Sequence, residues 1–408
     1  MLKKPELLAP AGSFAKMQAA IHYGADAVYL GGRQFSLRAH ATNFSEDEIG
    51  RAVSYAHSRQ VKVYVTVNIL AHNRDFDVLP GYLRTLGQAG VDGLIISDPG
   101  IMRVARTTVP DLPIHLSTQA NVTNLESARF WQEQGVKRFN GARELSLAEI
   151  TEIKDGTNLE VEVFTHGAIC ISYSGRCLLS CYLTGRSANQ GNCAHPCRYS
   201  YNLVEEKRPG QYFPVEEDDR GTYIFNSRDL CLLNRLPELI DAGVDCLKIE
   251  GRMKTIYYTG AVTRVYRAAL DQLFDNWPNN GLPQLEDRFM TELGKIGSRG
   301  YTENFLTDPP NRKDMLYDET HIAPTHHPVG IIMEGGAKPL IDIRNPLQPG
   351  QTIEYLGQGL NSSFHKVIKI FNEDGDHLEK ANPGNTVRLT MNPPPAEWKT
   401  GALLRKEI

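Results

Sequence analysis

Tyr23-Gly-Ala-Asp-Ala-Val-Tyr-Leu30 decides the fold, because the chain echoes it. The echoes are Ala89-Gly-Val-Asp-Gly-Leu-Ile-Ile96, Gln134-Gly-Val-Lys-Arg-Phe139 and Ala242-Gly-Val-Asp-Cys-Leu-Lys-Ile249. In each, a glycine stands where a helix must stop. Glycine supplies the left-handed turn there without a steric penalty. The aliphatic run that follows suits a parallel strand buried on both faces. The repeat is therefore a helix-to-strand joint.

Working outward, the same reading predicts eight strands near Glu6–Ala9, Ala27–Leu30, Lys62–Val67, Gly93–Ile96, Ile114–Ser117, Arg138–Asn140, Val161–Thr165 and Cys246–Ile249, with helices after nearly all of them. Ser45 with Glu48 and Ser146 with Glu149 read as capping boxes, and Asp98-Pro99 as a helix start with proline in the first turn. Eight alternating units predict an α/β (β/α)8 TIM-like barrel. An open doubly wound sheet is the alternative, but no G-x-G-x-x-G follows the first strand.

The long stretch between the seventh and eighth strands is read as an insertion at about 167–226. Turn-rich breaks follow at Asn276–Pro283 and from Asp308 to Pro328. Beyond them, short strands punctuated by Gly and Pro predict a small antiparallel β-barrel. The expected division is a barrel domain at 1–306, a linker at 307–327 and the β-barrel domain at 328–408.

Six of the seven cysteines lie from Cys170 to Cys231, and four form the pairs Cys170/Cys177 and Cys193/Cys197. A chain of 408 residues needs no disulfide staples. Clustered thiols in such a chain suit a metal or iron–sulfur centre. Arg176, Arg186 and Arg198 stand beside them, where they would offset thiolate charge. Cys170, Cys177 and Cys193 are the first choices, and the fourth ligand is Cys197 or Cys231. Cys197 shares a short loop with Cys193, which keeps the closure cost low. Small buried hydrophobes are the ordinary alternative, and they are the favoured reading of Cys181 and Cys246.

Strand ends supply further candidates, since polar groups at the carboxyl ends of barrel strands form sites. His166, Arg143 and Glu250 are the expected catalytic groups. Gln119, Asn121, Lys248, Arg252 and Tyr173 are the expected substrate contacts. Arginine and lysine there would clamp a carboxylate or phosphate, and His166 would shuttle protons. Each also has the plainer reading of a strand-end ion pair.

Net charge is -4, which argues against coating nucleic acid by bulk positive charge. From Lys248 to Arg267, however, basic residues interleave with Tyr257, Tyr258 and Tyr266. That stretch reads either as an RNA-contacting surface or as an ordinary amphipathic helix. The start of the chain shows no signal-peptide pattern and no spanning segment, so a cytoplasmic location without membrane contact is expected. H-E-x-x-H and G-x-S-x-G are both missing.

Glu162-Val-Phe-Thr-His-Gly-Ala-Ile-Cys170, with Ser174-Gly-Arg-Cys-Leu-Leu-Ser180, resembles the signature of the collagenase-like peptidase family of unknown catalytic type, peptidase family U32. Pro5–Gly12, Gly24–Tyr29, Ser117–Asn121, Arg143–Ser146, Asn226–Leu230 and Leu247–Arg252 match it too. The resemblance spans essentially the whole chain and is strongest to the family's tRNA-hydroxylating members. It implies hydroxylation of the tRNA wobble uridine to 5-hydroxyuridine. It also implies a 4Fe-4S cluster on Cys170, Cys177, Cys193 and Cys197, and prephenate as a small carboxylate co-substrate or ligand. Partners would be tRNA and an electron donor. Other readings are a collagenase-like peptidase, or a hydroxylation factor for ribosomal RNA or a ubiquinone precursor.

Overall fold

The computed structural model describes residues 3–37, 43–170, 172, 175–198, 227–307, 322–336 and 338–408, with backbone alone at 198, 203–204, 212–213, 216–218 and 221–223. The expectations for Tyr173 and for the Arg198 side chain lie outside this set.

Eight parallel strands close on themselves. They are β1 (Glu6–Pro10), β2 (Ala27–Gly31), β3 (Lys62–Val67), β4 (Gly93–Ile96), β5 (Ile114–Leu116), β6 (Arg138–Asn140), β7 (Glu160–Gly167) and β8 (Cys246–Ile249). β8 pairs with both β1 and β7, which shuts the barrel. The outer helices are α1 (Phe14–His22), α2 (Glu46–His57), α3 (Leu79–Gln88), α4 (Pro99–Thr108), α5 (Leu125–Glu133) and α6 (Leu147–Gly156). In the insertion lies α7 (Leu179–Thr184), and flanking β8 are α8 (Leu236–Asp241) and α9 (Ile256–Asp275), followed by α10 (Asp287–Gly294). The echo glycines Gly24, Gly90, Gly135 and Gly243 all have φ between 75° and 91°. A β-carbon would be strained there, so the repeat marks the joints for a steric reason. Both capping boxes form, and Asp98 caps α4.

A short strand, Asp229–Cys231, pairs antiparallel with the end of β7 and parallel with Tyr301–Thr302. Nothing in the periodicity announces it, because three residues are too few to show a period.

The second domain is a closed antiparallel barrel. Its six strands are β9 (His326–Glu334), β10 (Leu340–Ile343), β11 (Thr352–Leu356), β12 (Ser362–Phe371), β13 (Thr386–Asn392) and β14 (Leu403–Glu407). Val329, Ile341, Ile353, Val367 and Trp398 pack its own core. It is latched to the first barrel through α1 and α9. The Tyr23 hydroxyl donates to the Leu356 carbonyl at 2.8 Å and accepts from the Leu403 amide at 2.9 Å. Arg264 on α9 donates to the carbonyls of Gly357 and Asn361 and pairs with Glu292.

That latch corrects the RNA-surface reading of Lys248–Arg267. Tyr257, Tyr258, Tyr266 and Arg264 are all buried. The tyrosines interleave with arginine because α9 is covered on both sides, by the barrel and by the second domain. No helix among the described residues is long and apolar enough to cross a membrane.

Candidate active site at the barrel mouth

Inside the barrel, alternation along β6, β7 and β8 turns charged side chains inward, which is unusual for a core. Arg138 on β6 is 4 % exposed. It pairs with Glu6 on β1 at 2.6 Å and with Glu160 on β7 at 2.7 Å. Lys62 reaches Glu6 from the outer end at 3.1 Å. Higher up, Glu162 binds Lys248 at 2.7 Å and accepts from the Asn140 amide at 2.8 Å. Arg138 and Glu162 stand 3.7 Å apart, so the pairs join into one column. Burial pushes the Glu6 carboxyl up, but the Arg138 and Lys62 charges outweigh it and hold it below its ordinary value. His115 sits beside this column and is kept neutral, first by burial and then by the nearby cations. Cys246 contacts Glu6 at 3.8 Å, and burial pushes its thiol up.

Lys248 tops the column and lines a cavity of about 330 Å³ at the carboxyl ends of the strands. Its ammonium lies 4.6 Å from the Tyr29 ring centre and 5.3 Å from that of Phe164. Arg143 enters the same cavity with its guanidinium 3.9 Å over the other aromatic wall, Phe164. The Arg143 Nε has no hydrogen-bond partner among the described residues. Arg252 is held rigidly: its Nη1 donates to Ser36 and Thr66, each at 2.9 Å, and its Nη2 to the Leu37 carbonyl at 2.8 Å. Glu250, Gln119 and Lys254 add to the polar lining. The mouth is therefore a cationic pocket with aromatic walls.

The insertion forms the other side. Cys170, Cys177, Cys193 and Cys197 all line this one cavity, together with His195. The backbone explains how they are held there. A β-carbon on Gly175 (φ 75°) would fall 2.3 Å from the Gln119 carbonyl oxygen, so the loop lies directly on the end of β5. The Leu70 amide donates to the Asn189 carbonyl at 3.1 Å, tying the insertion to the loop after β3. The Ser180 hydroxyl accepts from the Ala194 amide at 2.9 Å, and the His195 amide donates to the Cys193 sulfur at 3.3 Å. An amide aimed at sulfur stabilises thiolate charge.

Among the described residues no three His, Cys, Asp or Glu side chains converge in a coordination sphere. The donor set nevertheless suits an iron–sulfur group: four soft sulfurs, exposed or half-exposed, around a single cavity. The other thiols differ. Cys181 is exposed on α7. Cys231 is buried 3.9 Å from the Tyr266 hydroxyl, and burial pushes it up to about 11. It is not among the residues lining the cavity.

His166 departs from its expected place. A register shift between Lys248 and Ile249 puts a bulge in the β7–β8 ladder, so Phe164 faces the mouth and His166 turns outward. It is enclosed by Tyr258, Tyr266 and Tyr301, with ring centres 5.5–6.0 Å away. Burial drives its imidazole down to about 4, against a partial upward pull from Asp229. The unfolded imidazole takes its proton near pH 6.5 while the folded one waits until about pH 4. Stability therefore falls as pH drops through that window. Between pH 7 and 5 the His166 contribution is about 2 kcal/mol. Urea unfolding at both values should show it, and His166→Asn should flatten the slope; an equal slope in the variant would refute the assignment.

Asn121 ends the turn Thr118–Ala120 in a left-handed conformation and does not line the cavity. Sequence reasoning missed Phe164, Asn68, Lys254 and His195, which do. His195 carried a signal, since it lies between two candidate ligands. Asn68 followed the rule for strand ends but stood in no motif.

Comparison with known proteins adds an independent line. The model described as "Peptidase family U32" matches residues 12–316, and "Peptidase family U32 C-terminal domain" matches 324–405. The chain is 39% identical over 394 residues to tRNA hydroxylation protein P1 of Bacillus subtilis (strain 168), covering 96% of this chain and 92% of that protein. It is 39% identical over 343 residues to tRNA hydroxylation protein P of Escherichia coli (strain K12), covering 74% of each. Another relative is the 23S rRNA 5-hydroxycytidine C2501 synthase of Escherichia coli (strain K12), 36% identical over 304 residues, with 74% of this chain and 45% of that protein covered.

Proposed function

The chain belongs to peptidase family U32, and from that membership we propose that it is an RNA-modifying enzyme that hydroxylates a pyrimidine base, namely the wobble uridine of tRNA to 5-hydroxyuridine. The observation that carries this reading is the shared cavity: four cysteines on one wall, Arg143, Lys248 and Arg252 on the others. Relatives named for RNA hydroxylation across most of the chain's length support RNA as the substrate.

Cys170, Cys177, Cys193 and Cys197 would hold a 4Fe-4S cluster. When bound, such a cluster supplies one-electron transfer, for which an electron donor is needed. Arg143 and Lys248 would grip a small carboxylate, with prephenate as the proposed compound, and Phe164 would hold its apolar body. Glu162 pairs with Lys248 at 2.7 Å and holds its ammonium at the floor of the cavity. Glu250 is placed to move a proton at the cavity edge. The family's peptidase name gains no support from the sequence, since neither H-E-x-x-H nor G-x-S-x-G occurs.

Deleting the gene and digesting bulk tRNA to nucleosides for mass analysis tests the proposal. Loss of 5-hydroxyuridine derivatives, restored by the intact chain, is the expected result. Unchanged levels in a strain without a second hydroxylation route would overturn it.

A further inference from the structure

We propose that the outer face of α7 is a nucleobase-stacking rim, across which a looped, unpaired stretch of RNA enters the cavity. This rests on the RNA reading above and names the surface that recognises it. Ser180 is fully buried against the loop carrying Cys193. At 100° per residue, burying Ser180 turns the residues two before and two after it to the opposite side. These are Leu178 and Tyr182, joined by the Tyr182 amide to Leu178 carbonyl bond at 2.9 Å. They are 70% and 87% exposed, and Leu183 is 43% exposed. Leu178 is the chain neighbour of the cavity-lining Cys177. Met253, 45% exposed, lines the cavity itself, and Leu70, 43% exposed, sits on the strap that fastens the insertion. Three of these exposed apolar side chains, Leu178, Tyr182 and Leu183, fall within six residues of chain directly after Cys177, and Met253 lines the cavity itself.

Charge selects the occupant. Residues 175–197 contain Arg176 and Arg186 and no Asp or Glu. The cavity they flank adds Arg143, Lys248, Arg252 and Lys254. An apolar, aromatic rim on a cationic mouth fits a polyanion that also offers flat π-faces, which is unpaired RNA. A duplex would present phosphates but no base face to Tyr182. A base whose ring atom must reach the cavity has to leave its stack, and a tyrosine beside the opening replaces the lost stacking.

Binding by the full chain to a fluorescently labelled anticodon stem-loop RNA, and to a blunt RNA duplex of equal length, tests this by anisotropy. Tyr182→Ala should weaken stem-loop binding roughly tenfold. Tyr182→Phe, which keeps the ring, should bind like the wild type, and duplex binding should not respond to either change. The side chain is solvent-exposed, so iron content and unfolding midpoint should stay at wild-type values. Equal stem-loop affinity for wild type and Tyr182→Ala overturns the rim. So does a wild-type dimer that Tyr182→Ala converts to monomer without loss of RNA affinity, because the face would then serve a second copy. A wild-type chain that binds neither RNA refutes the RNA reading itself.

Discussion

Replacing Cys170, Cys177, Cys193 or Cys197 singly with serine should strip iron and inorganic sulfide from oxygen-free preparations. It should also lower tRNA hydroxylation at least to the upper end of the ~10–100-fold loss typical of outer-shell changes at metal sites. The four are exposed or half-exposed on an insertion, so the barrel should unfold at the same urea concentration as before. That separates loss of the metal group from loss of the fold. Cys231→Ser and Cys181→Ser are the contrasts. Cys231 is packed under Tyr266 and Cys181 faces solvent, so both variants should keep their iron. Iron retained at wild-type level in the Cys177 and Cys193 variants would remove the cluster from the proposal. Iron lost in Cys231→Ser alone would move the fourth ligand from Cys197 to Cys231.

The second large effect belongs to the charged column. Arg138→Leu removes a guanidinium that binds Glu6 and Glu160 and lies 3.7 Å from Glu162. Carboxylates are then left in the barrel interior without their main counter-charge. Breaking a buried pair from one side costs about 3–5 kcal/mol, far more than the net value of the intact pair. Urea denaturation at pH 7 should show a loss of that size, and a loss below about 1 kcal/mol would contradict the column's role. The pH dependence has a definite sign. The Glu6 carboxyl is held below its ordinary 4.5, so its contribution is complete above that value and is lost as pH falls through the lower folded value. The gap between wild type and variant should therefore narrow in acid.

The column also bears on the site. Lys248 and Asn140, both bound to Glu162, carry the column up to the mouth cavity. A small carboxylate of the kind proposed would meet a cation already oriented, so little reorganisation would be needed on binding.

Much of this was legible in the residues. The glycines of the echo set the helix-to-strand joints because glycine takes a positive φ without a steric penalty. β3, β4, β6 and β8 begin and end where the apolar runs do. The cysteine spacing and the polar strand ends pointed to one mouth, since barrel topology sends every carboxyl end to the same face. The misreadings have specific causes. Tyr257, Tyr258 and Tyr266 looked like a stacking surface because a helix covered on both sides carries the same residues as one that binds RNA. His166 looked like a strand-end base because a bulge leaves no mark in the sequence pattern.

By itself, the sequence determined the eightfold α/β repeat, the second β-barrel and the family, because these follow from local periodicity and from residues whose backbone needs are steric. Tertiary structure alone decided which side chains meet: that four sulfurs and Lys248 share one cavity, that Cys231 and His166 are walled off, and that Tyr182 is left in water. Those outcomes depend on strand register, on a bulge and on how an insertion lies across the mouth. Each is settled by contacts between residues far apart in the chain, which no local pattern encodes.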